Sequence, residues 1–316
     1  NHLDTRISER RKKKYKKYNA LIPSVIVVDE VSMVDVLMFK LFIKYCVAFN
    51  CRVILLGDAD QLPPVGPGNP LYAMLHDDNI IPHVIYLEQI MRQDKGILVD
   101  NILNIKNNVF LSEKEHFDNE TMFLLDYDTF IDDNTKELDT HAIRAFLSNH
   151  SLNKYNSQFL TPENHKNCGS FKLNKTLQAL YNAKGPTIRQ SYFKVHDLVV
   201  RTQNTPTMDD ANMYANGETG VIDKCIFQPK GPPTVQIVYD NPNAQPQEIS
   251  IKELHEEFSL RYAMTIHKSQ GGEYDNVILV MGTPHEPSSW KQSSSKKLLY
   301  TAVSRSKERC FIIGKQ

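Results

Sequence analysis

The sequence predicts an α/β protein with two parallel-sheet units and a small antiparallel β insert in the second. Three observations carry this. A β-branched run, a helical stretch and a second apolar run follow one another between residues 25 and 56, and each run leads into acidic residues. The same strand–helix texture resumes near residue 149 and again after residue 260. Residues 192–258 read instead as short strands separated by Gly, Pro and Asn turns, the pattern of a small barrel. A length of 316 residues suits about two domains. A composition that is 41% hydrophobic and 23% charged can bury an ordinary core. No apolar run approaches the ~18 residues of a membrane span, so no membrane partner is expected. Five scattered cysteines without a CxxC pair argue against a disulfide scaffold and a structural zinc site. They point to a reducing intracellular compartment, cytoplasmic or nuclear. With 37 Lys+Arg against 37 Asp+Glu the formal net charge is zero, so nucleic-acid binding must rest on local sites.

Taken in order, residues 1–20 form a polar segment with the basic run Arg10-Arg11-Lys12-Lys13-Lys14-Tyr15-Lys16-Lys17, either a solvated face or a phosphate-binding arm. Val25-Ile26-Val27-Val28 predicts a strand covered on both faces. A helix over about 34–49 and a second buried strand, Arg52-Val53-Ile54-Leu55-Leu56, complete a parallel unit. Four prolines and two glycines between residues 61 and 70 predict a rigid, turn-rich loop. A short strand is expected at 84–87 and a helix at 97–109. Residues 113–139 read as acidic surface connections around a strand at 123–125. A strand ends at Thr161-Pro162. Apolar positions 173, 177, 180 and 181 predict a helix over 170–182, stopped by Gly185-Pro186. Strands follow at 198–201, 219–226, 234–239 and 248–251. A strand at 277–281, a helix at 295–304 and a strand at 310–313 close the chain. The domain division expected from this is 1–20, 21–95, then 96–186 with 259–316, interrupted by the insert 187–258.

In parallel sheets ligands sit beyond the carboxyl ends of the strands. Asp29, Glu30 and Asp58 fall there. A carboxylate buried at a strand tip, as expected for Asp29, holds a water of a Mg²⁺ shell, and the adjacent Glu30 orients an attacking water. A plain acidic surface turn is the alternative. Gln61, on the proline loop, can donate to a γ-phosphate and accept from a water. Thr265, His267, Lys268, Ser269 and Gln270 put short donors and one cation in a row, which suits a sugar-phosphate backbone gripped without reading its sequence. Gly271-Gly272 allows close backbone approach. Arg305, at the end of a helical stretch, carries a forked, permanent charge suited to a γ-phosphate, a surface ion pair being the alternative. Tyr192, Phe193, Tyr214 and Tyr262 can each stack on a base, at about 1–3 kcal/mol, or pack in the core.

Together these residues resemble a known family. DEVSMVD at 29–35, followed by LLGDADQLPPVGPG at 55–68, resembles motifs II and III of superfamily 1 helicases in their RecD-type branch. YLEQIMRQ at 86–93 resembles motif IV, which implies that Arg92 reaches the nucleotide phosphates. Residues 160–162 with Gly169 and Leu173-Asn174 through Gln178 resemble the segment that opens the second motor domain. AMTIHKSQGGE at 263–273 resembles motif V, and YTAVSRSKE at 300–308 resembles motif VI. The resemblance runs from about residue 21 to the end. It implies two RecA-like motor domains, the first truncated, with an SH3-like β-barrel insert in the second. It implies ATP and Mg²⁺ as cofactors, with ATP in a cleft that closes on binding and opens on hydrolysis. Single-stranded DNA is the implied partner, RNA not being excluded, with 5′-3′ translocation and no need of an oligomer. Glu273 would face the nucleotide sugar. Thr161 and Thr301 would join the 265–270 row on the nucleic acid.

The sequence departs from the family in one respect. No GxxxxGK[ST] phosphate loop occurs in the 316 residues, and residue 1 is Asn. The expectation is a C-terminal fragment whose missing N-terminal part supplies that loop. Such a chain alone would neither bind ATP tightly nor hydrolyse it, and the strand at 25–28 would keep an open edge. The competing readings are a motor-dead module that binds single strands, a PIF-type relative, and an RNA-directed helicase.

Overall fold

The computed structural model describes residues 23–87, 96–107, 109, 117–118, 120–132, 137–165, 168–204, 215–227, 231–282 and 295–314. The chain divides into two compact units at about residue 89.

In the first unit β1 (Val25–Val28) leads through a 3-10 turn at Val31–Met33 into α1 (Val36–Phe49), β2 (Arg52–Leu55) and the short α2 (Pro70–Met74). Asp35 starts α1 because its Oδ1 accepts the Met38 N–H at 2.8 Å. Asn50 stops it in the left-handed region (φ 53°), with the Cys51 N–H returning to the Cys46 carbonyl at 3.0 Å. β1 and β2 pair in parallel, with Val28 opposite Leu55. The expectation that β1 is covered on both faces fails: Val25 and Val27 are 44% and 56% exposed. The face that carries Val25, Val27 and Ile54 is not covered by any described element. The strand expected at 84–87 is also absent. A strand exists by pairing, and this segment has no described partner; Leu87 is 88% exposed.

The second unit contains α3 (Ile97–Lys106), β3 (Met122–Asp126), α4 (Thr140–Asn149), β4 (Ser157–Thr161) and α5 (Ser170–Tyr181). The insert strands β5 (Leu198–Arg201), β6 (Thr219–Ile226), β7 (Thr234–Tyr239) and β8 (Gln247–Ser250) come next. They are followed by α6 (Ile251–Glu257), β9 (Phe258–Leu260), β10 (Ala263–Thr265), β11 (Tyr274–Gly282), α7 (Ser295–Val303) and β12 (Ser306–Gly314). One sheet, β10-β4-β11-β12-β3, is parallel at every pairing. Both its faces are buried. Phe123, Phe159, Ile278 and Phe311 pack with Ile143, Phe146, Leu173 and Leu177 of α4 and α5. The alternate residues Met122, Leu160, Val277 and Cys310 are equally buried, and there Asn101 of α3 meets Met122. The 123–125 strand is therefore a sheet member and not part of a surface connection: pairing with β12 and the Phe123–Phe311 stack (4.4 Å) hold it.

The second sheet, β8-β7-β6-β5-β9, is antiparallel, and its curl is consistent with a barrel-like insert. Its core is filled by Val199, Ile222, Val235, Ile237 and Ile249. The strand expected over 248–251 gives way to α6 at Ile251, because Ser250 and Glu253 form a reciprocal capping box.

Candidate functional site

In the first unit the two strand tips are neighbours. The Leu56 N–H bonds the Val28 carbonyl at 2.8 Å, and the Val31 N–H bonds the Leu56 carbonyl at 2.9 Å. Gly57 permits this approach: a Cβ there would lie 2.7 Å from Cγ1 of Val31 and 3.2 Å from the Ser32 nitrogen. Asp29 is exposed, not buried as expected; its Oδ1 accepts the Glu30 N–H at 2.8 Å and stays in solvent because the sheet has no described cover there. Glu30 is half-buried and held at φ 51°, a left-handed conformation uncommon for a residue with a Cβ and typical of strained functional turns. Asp58 organises the second tip. Its Oδ1 accepts the Asp60 N–H at 2.9 Å and its Oδ2 receives Nε2 of Gln61 at 3.4 Å. Gln61 is buried, and its Oε1 has no hydrogen-bond partner, nor has the Oγ of buried Ser32. The proline loop is docked as well as stiff. The Val36 N–H bonds the Pro67 carbonyl at 3.0 Å, and a Cβ on Gly66 would meet Oδ2 of Asp35 at 2.0 Å. Arg92 and Tyr214 lie outside the described residues, as does the basic run at 10–17.

In the second unit the segment 265–273 follows β10 as a 3-10 turn at His267–Ser269. Its short hydroxyls serve the turn itself. Thr265 Oγ1 accepts the Lys268 N–H at 3.4 Å, and Ser269 Oγ donates to the Ile266 carbonyl at 2.8 Å. Lys268 faces solvent, and His267 and Gln270 are half-buried. Burial holds the His267 ring below its ordinary pKa, which keeps it neutral near pH 7. Gly271 takes φ 76°, where a side chain would be strained. Glu273 pairs with Lys307 at 3.4 Å. Thr161 and Thr301 are fully buried, and the Thr161 hydroxyl donates to the Cys168 carbonyl at 2.7 Å. Arg305 is 1% exposed. Its Nε donates to the Thr301 carbonyl at 3.2 Å and its Nη1 to the Gly272 carbonyl at 3.3 Å, so it ties the end of α7 to the glycine pair.

Two clefts flank Lys268. One, of about 370 Å³, is lined by Phe171, Asn174, Lys175, Tyr192 and Thr265 among others. The other, of about 730 Å³, lies between residues 270–275 and the insert turn at 216–219. Of the aromatic residues singled out in the sequence, Phe193 and Tyr262 are core, whereas Tyr192 is 56% exposed at the smaller cleft. Phe171, Asn174 and Lys175 were not identified from the sequence as site residues. A signal existed for α5: amide side chains at 174, 178 and 182, four apart on one helix face, interrupt its apolar stripe.

Comparison with known proteins finds helicases. Residues 260–313 match the UvrD-like helicase C-terminal domain, and residues 8–118 match an AAA domain. The ATP-dependent RecD2 DNA helicase of Deinococcus radiodurans is 31% identical over 305 residues, covering 94% of this chain and 38% of that protein. The RecBCD enzyme subunit RecD of Mycobacterium tuberculosis is 27% identical over 333 residues, covering 95% of this chain and 51% of that protein. The chain thus spans about half or less of these relatives. The fold is similar to Pif1 helicase from Bacteroides, solved in complex with ADP-AlF3 and ssDNA, at a TM-score of 0.53 and 17% identity over 93% of this chain and 70% of that one. No helix among the described residues is long and apolar enough to cross a membrane. With its ordered motifs on a parallel-sheet α/β framework and relatives matched along nearly its whole length, the chain is similar to the RecD-type branch of the superfamily 1 helicases.

Proposed function

We propose that this chain forms part of an ATP-dependent DNA helicase that moves 5′-3′ along single-stranded DNA. The observation that supports it most is the joined pair of strand tips, which brings the acidic turn Asp29-Glu30 beside the Asp58–Gln61 loop, where a buried Gln61 oxygen lacks a partner. These residues fit Mg²⁺ and a nucleotide. Bound Mg²⁺-ATP supplies the phosphoanhydride whose cleavage drives movement. Asp29 holds an ion-bound water. With that group bound, Glu30 would accept the proton of an attacking water that the side-chain oxygen of Gln61 would orient. Arg92 and Arg305 are the proposed partners of the charge that would spread over the γ-phosphate, and Arg305 would first have to release the Thr301 and Gly272 carbonyls. Glu273 faces the sugar.

Single-stranded DNA is proposed for the cleft beside α5. Phe171 and Tyr192 offer two exposed rings for stacking, while Lys175 and Lys268 meet phosphates. Thr265 also lines that cleft and Gln270 the larger one; His267 and Ser269 flank Lys268 in sequence, and Thr161, Ser269 and Thr301 are buried framework. A binding module without motor activity is the second reading, favoured by the cleft with Phe171, Lys175, Tyr192 and Lys268, which needs no nucleotide. The test is ATP hydrolysis with and without single-stranded DNA, on the full-length parent and on the 316-residue chain. Stimulated hydrolysis by the parent alone is expected. DNA-binding without any turnover by the parent would leave the binding module, and stimulation by RNA alone would reassign the polymer.

A further inference from the structure

We propose that Asp197 is a positioning residue that welds both ends of the β insert to α5, and so fixes the insert relative to the strand that carries the 265–273 segment. Asp197 is fully buried. Its Oδ1 accepts Nδ2 of Asn182 at 2.7 Å and the Tyr262 hydroxyl at 2.9 Å. Its Oδ2 accepts Nε2 of Gln178 at 2.5 Å and the Lys194 N–H at 2.7 Å. Lys194 stands where the chain enters the insert, and Tyr262 where it leaves. Gln178 lies on α5 and Asn182 caps its end. All four donors are neutral, so hydrogen bonds alone stabilise the buried charge, and losing one donor leaves the rest under-compensated.

A second clasp lies one helical turn earlier. Asn174 Nδ2 donates to the Ala263 carbonyl at 2.8 Å, and Asn174 Oδ1 accepts the Ala263 N–H at 2.9 Å. This amide does for the edge strand β10 what a neighbouring strand would do. Burial and the Asp197 carboxylate together push the Tyr262 hydroxyl up, as befits a phenol that must keep its proton to donate. The insert, α5 and β10 therefore move as one body. A strand of nucleic acid leaning on the insert would shift Lys268 without any contact of its own with α5. That last consequence rests on the DNA reading; the joint does not.

Hydrogen exchange read by mass spectrometry on the 316-residue chain, wild type against Tyr262→Phe and Asp197→Asn, tests the joint. Peptides over 194–201 and over 260–272 are expected to exchange about tenfold faster together in Tyr262→Phe, while those over β3 and β12 stay unchanged. Faster exchange confined to 260–265, or no change at 194–201, overturns the proposal, and Tyr262→Phe decides it if Asp197→Asn fails to fold. Fluorescence anisotropy with a labelled oligo-dT, well below the melting temperature, reads the consequence: both variants should bind about tenfold more weakly. A wild-type chain that exchanges as expected but binds no oligo-dT would sink the DNA reading and leave the joint standing.

Discussion

At the residue scale, the acidic tip carries two demands in one side chain. Glu30 supplies a carboxylate and also adopts a left-handed turn that glycine would take more cheaply. Glu30→Gln preserves the shape and removes the base. In the full-length parent it should lower ATP turnover at least about 10²-fold while leaving oligo-dT affinity within twofold; turnover near wild type would dismiss Glu30 as the base. Two histidines set a pH dependence. Burial holds His267 low, and burial together with the Arg309 charge does the same for His150, which sits among Phe123, Phe146 and Phe311. Above the ordinary value of 6.5 both rings are neutral folded or unfolded, and nothing is lost. As the pH falls below 6.5 the unfolded chain takes its protons first, so the folded state loses stability until the folded values are reached. The urea midpoint should therefore drop between about pH 7.5 and pH 5.5, and His150→Phe should flatten that drop.

At the element scale, the loops that present the site are held by close backbone contacts more than by their sequence-typical turns. Gly169 precedes α5, and a Cβ there would lie 2.1 Å from the His165 carbonyl and 2.5 Å from that of Asn164. Both obstacles are backbone, so neither swings aside. Gly169→Ala should cost about 1–3 kcal/mol in denaturant unfolding, although its φ of −69° suits alanine. Ser250→Ala removes the capping box of α6 and should cost about 1 kcal/mol. A Gly169→Ala chain as stable as wild type would show that the 163–169 loop yields. The strand at 84–87 and the capping box show how local reading errs in opposite directions. An apolar run suggested a strand that no described neighbour pairs, whereas Ser250-x-x-Glu253 carried a helix signal that the preceding strand pattern masked.

At the scale of the whole molecule, the two units differ in how well they bury their apolar residues. The first leaves Val25, Val27, Leu37, Met38 and Leu41 more than 40% exposed, while the second closes both faces of its parallel sheet. Limited proteolysis of the 316-residue chain should therefore cut first within residues 23–87 and leave a resistant core from the second unit. Cleavage at equal rates in both would contradict this.

The sequence by itself determined the α/β class, the order of the elements and the family, because strand runs, helical spacing and turn residues are local and the motifs are short and contiguous. It also singled out Asp29, Glu30, Gln61 and the 265–273 segment as candidates. Only the tertiary structure decided which side chains face solvent and which are consumed inside. Thr161, Ser269 and Thr301 look like a contact row in one dimension, yet burial assigns them to the framework, while Phe171 and Lys175 reach the cleft through the rotation of α5. Nor does any spacing rule bring Asp197, Gln178, Asn182 and Tyr262 to one point. That meeting depends on where two distant chain crossings fall against a helix, and long-range packing alone sets it.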